Sequence, residues 1–230
     1  MAPINLPDGT EVSEIVLPDG STASEVIAPD GSTVFSSVSV VSVDDYEDQD
    51  LAEYDGDTSN ASITSTTPLE GSYSLQHQQD GGALVFSTSG LNVYPQQGTN
   101  FACLTEARNG TGTTVCYGLE DTNNYFAVSV EVGSNRLRFF ETSGGSLNTI
   151  ELATPTLSED TIYDVDVAWK SDDTHNITLY NWDSANFQRG SAVASGSVTS
   201  TAASGNGIGF RGGGSNRRAV YDHYRVIQAL

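Results

Sequence analysis

Proteins do chemistry with groups that move protons, attack bonds or hold metals, and this chain of 230 residues is rich in only one such type. Asp and Glu number 30, against 9 Lys and Arg and 3 His. Paired carboxylates are the machinery of glycoside hydrolysis, in which one acid protonates the leaving oxygen while the other attacks or activates water. Two stretches come nearest, "EDQDLAE" from Glu47 to Glu53 and "DVDVAWK" from Asp164 to Lys170. The second puts two acids at i and i+2, on one face of a strand, with no third carboxylate in place. His77, His175 and His223 are scattered without triad spacing, and no Gly-x-Ser-x-Gly occurs. No catalytic residue is assigned, and enzymatic activity is not expected.

The two cysteines, Cys103 and Cys116, flank "LTEARNGTGTTV". Its Asn109-Gly110 is the strongest short signal for a type I′ hairpin turn. A two-residue turn there sets Cys103 opposite Cys116 in a non-hydrogen-bonded pair, where Cα atoms approach to about 4.5 Å, within reach of a disulfide. Two readings stay open: a cross-strand disulfide, or two buried thiols that merely face each other. A metal site is not indicated, because neither His nor further Cys lies nearby.

Aromatics and arginines are the residues that most often carry recognition. Candidates are Tyr180 and Trp182 in "LYNWDSANF", Arg136 and Arg138 in "NRLRFF", and Arg211, Arg217 and Arg218 in "FRGGGSNRR". Local basic spots on an acidic chain point to a contact surface, or to salt bridges with the abundant acids. Trp169 continues an apolar face and reads as core.

The elements that must position these groups are strands. Apolar residues come in short bursts broken by Gly, Asn, Asp or Ser, and no stretch has helical periodicity. Strands are predicted near 61–66, 72–78, 83–87, 99–107, 113–120, 125–132, 136–142, 147–153, 162–170, 175–182, 192–199, 206–211 and 219–227. In "IYDVDVAWK", Tyr163, Val165, Val167 and Trp169 share one face, and Asp164, Asp166 and Ala168 the other. The fold class is therefore all-β, an antiparallel two-sheet sandwich over residues 44–230. Residues 1–43 differ. Pro-Asp-Gly recurs at Pro7, Pro18 and Pro29, a period of eleven, and each unit reads as one short strand plus one tight turn. Such strands bury little alone and gain stability by stacking on neighbours, so the segment is expected to serve assembly or attachment.

Net charge is −21 and Lys170 is the only lysine. This speaks against nucleic acid and anionic membranes as partners. It suits molar salt, where the Debye length is about 3 Å and self-repulsion is screened. No apolar run is long enough to span a bilayer. The opening "MAPINLPDGT" has neither a basic start nor an apolar core, so no export signal is expected. Sequons at Asn60, Asn109 and Asn176 are of the kind a Ser- and Thr-rich chain acquires by chance.

The stretch "DDYEDQDLAEYDGDTSNASITSTTPLEGSYSLQHQ" resembles the start of a concanavalin A-like, LamG-like jelly-roll domain. "TIYDVDVAWKSDDTHNITLYNWD" is similar to its back-sheet hairpin, and "GNGIGFRGGGSNRRAVYDHYRVIQAL" to its closing strands. The resemblance implies a structural Ca²⁺ where first strand meets last, at Asp45, Glu47 and Asp222 with a backbone carbonyl around Gly71. In an acid-rich chain the same residues also read as ordinary solvated acids, and "DGDTSN" at Asp55–Asn60 is a weaker cation candidate. Hydrolases on this fold carry Glu-x-Asp-x-x-Glu on one strand, which neither acidic stretch reproduces. Such domains joined to short β-repeats resemble structural proteins of haloarchaeal tailed viruses, on a capsid turret or a tail fibre. The resemblance implies display on the virion surface, a homo-oligomer (trimer first, pentamer next), other virion proteins bound through residues 1–43, and a host-surface glycan or protein as target. The alternative is a cellular haloarchaeal carbohydrate-binding module or lectin. A polysaccharide-degrading enzyme is the third reading.

Overall fold

The structure, a computed structural model, describes residues 25–27, 33–36, 38–66, 68–78, 84–108, 112–211 and 218–229. The chain forms two compact units, residues 1–41 with 227–230, and residues 42–226. In the first unit, β1 (Glu25–Ile27) pairs antiparallel with β2 (Thr33–Ser36), Val26 opposite Phe35. The three Pro-Asp-Gly turns lie outside the described residues.

The remaining strands follow in chain order. They are β3 (Val38–Asp44), β4 (Asp55–Gly56), β5 (Ala61–Thr64), β6 (Ser74–Gln78), β7 (Leu84–Ser87), β8 (Asn100–Arg108), β9 (Thr113–Asp121) and β10 (Asn124–Glu131), then β11 (Arg136–Ser143), β12 (Ser146–Ala153), β13 (Ile162–Trp169), β14 (Thr174–Asp183), β15 (Gln188–Thr199), β16 (Gly207–Arg211) and β17 (Arg218–Ala229). Each predicted strand from 61 onward has its counterpart within a few residues. Two sheets result. One runs β12-β11-β10-β9-β16-β7-β4, and the other β15-β14-β13-β8-β17-β6-β5, with β3 also paired to β17. This is the all-β antiparallel sandwich expected from the pattern.

Local sequence sets the hairpins. Gly144 and Gly145 both take positive φ and close a two-residue turn between Ser143 and Ser146, the I′-like geometry that matches strand twist. Asp121 Oδ1 accepts the Asn123 N–H at 2.7 Å in the turn from β9 to β10, and Asp183 Oδ1 accepts the Ala185 N–H at 3.1 Å in the turn from β14 to β15.

Alternation sets the core. Tyr163, Val165, Val167 and Trp169 of β13 face inward as read, against Phe101 and Cys103 of β8 and Tyr117, Phe126 and Phe139 of the facing sheet. At its centre lies His175, ringed by Tyr117, Phe126, Phe139 and Trp169. Its Nε2 lies 3.2 Å from the Ser200 carbonyl and its Nδ1 2.9 Å from the Tyr117 hydroxyl. A carbonyl only accepts, so Nε2 carries the proton and Nδ1 accepts from Tyr117. Burial lowers the pKa of this histidine.

The expected pairing of Cys103 with Cys116 is corrected. Both are free, buried thiols. β8 pairs with β13 and β9 with β10 and β16, in different sheets. The chain crosses the sandwich between them instead of folding back as a hairpin. Each strand needs its apolar face inward, and the crossing lets Phe101 and Tyr117 meet across the core, ring centroids 4.6 Å apart. Cys103 points into that core, whereas Cys116 packs with Leu84, Leu119, Tyr125 and Ala127 in a separate cluster. Asn109-Gly110 lies outside the described residues.

Candidate functional site

Start and end of the sandwich domain meet at one pocket of about 340 Å³, lined by Asp45, Glu47, Glu70, Gly71, Phe187, Asp222 and His223. All four positions expected around a cation are among them. Local bonding explains the convergence. Glu47 Oε1 accepts the N–H groups of Ser72 at 2.6 Å and Tyr73 at 3.1 Å. This cradle needs Gly71, because its φ is +61° and a Cβ there would collide with Glu47 Oε1. Asp222 Oδ2 accepts the Glu70 N–H at 2.9 Å and the Ser74 hydroxyl at 2.6 Å, and Oδ1 accepts the His223 N–H at 2.7 Å. Burial pushes the Asp222 carboxyl up to about 7, with these hydrogen bonds opposing.

Glu70 adds a fourth carboxylate that the sequence reading did not single out. Its Oε2 is buried with no hydrogen-bond partner, 3.6 Å from His223 Nδ1. An orphaned carboxylate oxygen among hard oxygen donors fits Ca²⁺, which takes six to eight such ligands. Of the other acidic stretches, Asp48, Asp50 and Glu53 cluster at the surface with oxygens within 4.8 Å of one another. In "DGDTSN", Asp57 Oδ1 instead accepts from Asn60 Nδ2 at 2.8 Å, satisfying its own turn.

A second constellation covers the outer face of the sheet containing β13 and β14. The fully buried Asp164 receives hydrogen bonds from Arg189 Nε and Arg225 Nη2, and Arg189 Nη2 also binds Asp166. Burial raises the Asp166 pKa against the pull of Arg189. Burial lowers the Arg189 pKa, but Asp164 and Asp166 outweigh it and the net shift is upward. Tyr180 lies under the Arg189 guanidinium at 4.8 Å and Trp182 beside Arg225 at 5.8 Å. The Trp182 indole N–H and Asp164 Oδ1 are buried without partners. Trp182 packs with Ile162 on Leu69, Leu104 and Val220 of the same face. Tyr180 and Trp182 were legible in the sequence; Arg189 and Arg225 were not.

Of the predicted arginines, Arg136, Arg138 and Arg211 share the outer face of the other sheet, where Arg138, Ser129, Thr114 and Arg211 are partners in one cross-strand row. Arg136 pairs with Glu151 at 3.1 Å and Arg138 with Glu131 at 3.0 Å, both in the other sheet. Arg211 donates to the Tyr125 hydroxyl at 2.9 Å. Arg218 is exposed at the start of β17, and Arg217 lies outside the described residues. The three histidines occupy three separate environments, His77 beside Asp57 at 3.4 Å.

No protein-family profile matches the chain, and no curated protein does. Solved structures do. A xylan β-1,4-xylosidase from Bacillus halodurans superposes with a TM-score of 0.53 at 14% identity, over 94% of this chain and 46% of that one. The GH43 protein BlXynB from Bacillus licheniformis gives 0.50 at 14% identity, over 90% and 46%. The carbohydrate binding module CBM66 from Bacillus subtilis gives 0.47 at 14% identity, over 76% and 92%. This chain thus spans less than half of each of the first two proteins. At this identity the likeness establishes a fold, that of jelly-roll sandwiches.

Proposed function

We propose that the protein is a non-catalytic attachment protein whose sandwich domain binds a surface glycan. The observation that carries this reading is the outer-face constellation. Its only close pair of strand carboxylates, Asp164 and Asp166, is held by Arg189 and Arg225. Acids fixed in ion pairs are poorly placed to act as proton donor and nucleophile. The same contacts present Tyr180, Trp182 and a guanidinium on one face, the combination of ring and fork that recognition surfaces use. The fold is shared with carbohydrate-binding modules, and that likeness alone assigns no ligand.

At the pocket, Asp45, Glu47, Glu70 and Asp222 would hold Ca²⁺. Bound there, the ion would cross-link the two ends of the domain by coordination. Residues 1–43 would join copies of the chain, as a trimer or next a pentamer, and dock them on other virion proteins. The setting proposed is the virion surface of a haloarchaeal virus, supported by the charge of −21, the single lysine and the repeat. Many copies on one particle would turn a weak site into firm attachment. A cellular carbohydrate-binding module or lectin differs in one observable: it would be monomeric by light scattering.

The test is a glycan array probed with the full chain in about 2 M NaCl, with Ca²⁺ or with chelator. The expected result is retention of neutral glycans, weakened by Tyr180→Ala and by chelation, with no new reducing ends. No retention on any glycan, or release of reducing sugar, would overturn the proposal.

A further inference from the structure

β14 runs between two dissimilar ends. Its C-terminal turn carries Phe187, at the acidic pocket. Its N-terminal turn borders an open groove of about 380 Å³, walled by Gln96, Gln97, Asp173, Thr201 and Asn206 with Trp169 also lining it. The walls are tied together. Gly98 N–H donates to the Trp169 carbonyl at 2.7 Å, Ser200 N–H to the Asp173 carbonyl at 3.0 Å, and the Gln97 amide to the Asp173 carboxylate. Three loops are thus fixed around a space in the size range of small-ligand sites.

The chemistry of the wall is specific. The side chains of Gln96, Thr201 and Asn206 are exposed and make no hydrogen bond among the described residues. Trp169 is only 3% exposed, yet its indole N–H has no acceptor. Buried indole N–H groups ordinarily have one. No cation lines the groove, and the chain carries −21, so an anion is disfavoured. Asp173 is the one carboxylate there, already bonded by Gln97, which is too little for a metal. An apolar ligand would leave the amides unpaired. Amides and hydroxyls that both donate and accept, with one carboxylate acceptor, match the vicinal hydroxyls of a neutral sugar, and the Trp169 ring behind them reports on what enters.

We infer that this groove is a binding subsite for a neutral saccharide, separate from the Tyr180 and Trp182 face. The inference rests on the glycan-binding reading of the domain. The chain has two tryptophans, so its indole N–H resonances report on the two places independently. The experiment is a titration of the ¹⁵N-labelled full chain, in about 2 M NaCl, with xylotetraose, cellotetraose and, as anionic control, trigalacturonate. Saturable movement of the Trp169 resonance with a neutral tetraose and not with trigalacturonate is expected. Asn206→Ala and Gln96→Ala, both surface changes, should each weaken it about three- to tenfold, the loss of one neutral hydrogen bond. Movement of Trp182 alone would overturn the groove and leave the glycan reading standing. Movement of Trp169 alone would keep the groove and remove the face. Equal response to trigalacturonate, or unchanged affinity in both variants, would also overturn the inference, and stillness of both resonances would overturn it together with the glycan reading.

Discussion

The outer faces of the two sheets carry the same residue types in opposite arrangements. On the β11 and β12 face, Arg136 and Glu151 are 42% and 47% exposed at the side chain. On the β13 and β14 face, Asp164 is fully buried and Arg225 9% exposed, with Arg189 completing the network. An ion pair in water returns little, because solvent and salt screen it and two long side chains must be immobilised. A buried network is different in kind, since removing one partner strands the others without water. An acid-rich chain with nine basic residues has thus sunk Arg225, with the partly exposed Arg189 joined to it through Asp164, beside the aromatics proposed to meet ligand.

Substitution sharpens that contrast, and the largest effect is expected at its centre. Asp164→Ala strips the buried Arg225 of its carboxylate, while Arg189 keeps Asp166, and should cost about 3–5 kcal/mol in denaturant unfolding. A cost below about 1 kcal/mol would put the network in the same class as the opposite face. Next comes Gly71→Ala, which forces a side chain into positive φ and against Glu47. About 1–3 kcal/mol of strain is expected, with loss of the Glu47 cradle and weaker Ca²⁺ binding by calorimetry.

The third prediction concerns the core between the two faces. The folded pKa of His175 lies below its unfolded value, so the unfolded state takes up the proton first as pH falls. Its contribution is complete above about 6.5 and declines below, by up to about 1.4 kcal/mol per pH unit until the folded pKa is reached. Asp44 acts oppositely. Burial raises it to about 6, so its contribution is present below the ordinary carboxylate range and lost as pH rises toward 6. Asp44 is common to the parent and His175→Gln, so the stability difference between them should shrink on going from pH 7 to pH 5. A constant difference would contradict the burial of a neutral imidazole. The smallest effect belongs to Arg136→Ala, about 0–1 kcal/mol at low salt and nothing measurable in molar salt.

Much of the frame was legible in the sequence, because strand alternation is a local property. β13 reads correctly residue by residue, and Asp45, Glu47, Gly71 and Asp222 do share a pocket. The failures have a common physical origin in where a strand changes sheet or phase. Cys103 and Cys116 fit an ideal hairpin register, yet only the competition of two apolar faces for one core decides that β8 and β9 part. Arg225 was missed because β17 slips phase at His223, which takes φ +47°. Ala219 and Tyr221 face inward before it and Tyr224 and Val226 after it, so parity counted from Tyr221 puts Arg225 in the core. Glu70 carried a weak signal, its place beside Gly71. Arg136, Arg138 and Arg211 reflect a different limit: they do share one outer face, but nearness in sequence did not show that Glu151, Glu131 and Tyr125 engage them there.

The most direct test of glycan recognition without catalysis is calorimetric titration of the full chain with the neutral oligosaccharide best retained on the array, in about 2 M NaCl with Ca²⁺. The account predicts saturable binding with a dissociation constant near about 1 mM or tighter, reduced in Tyr180→Ala, and the sugar recovered intact. Absence of binding heat, or recovery of shortened sugar, would contradict it.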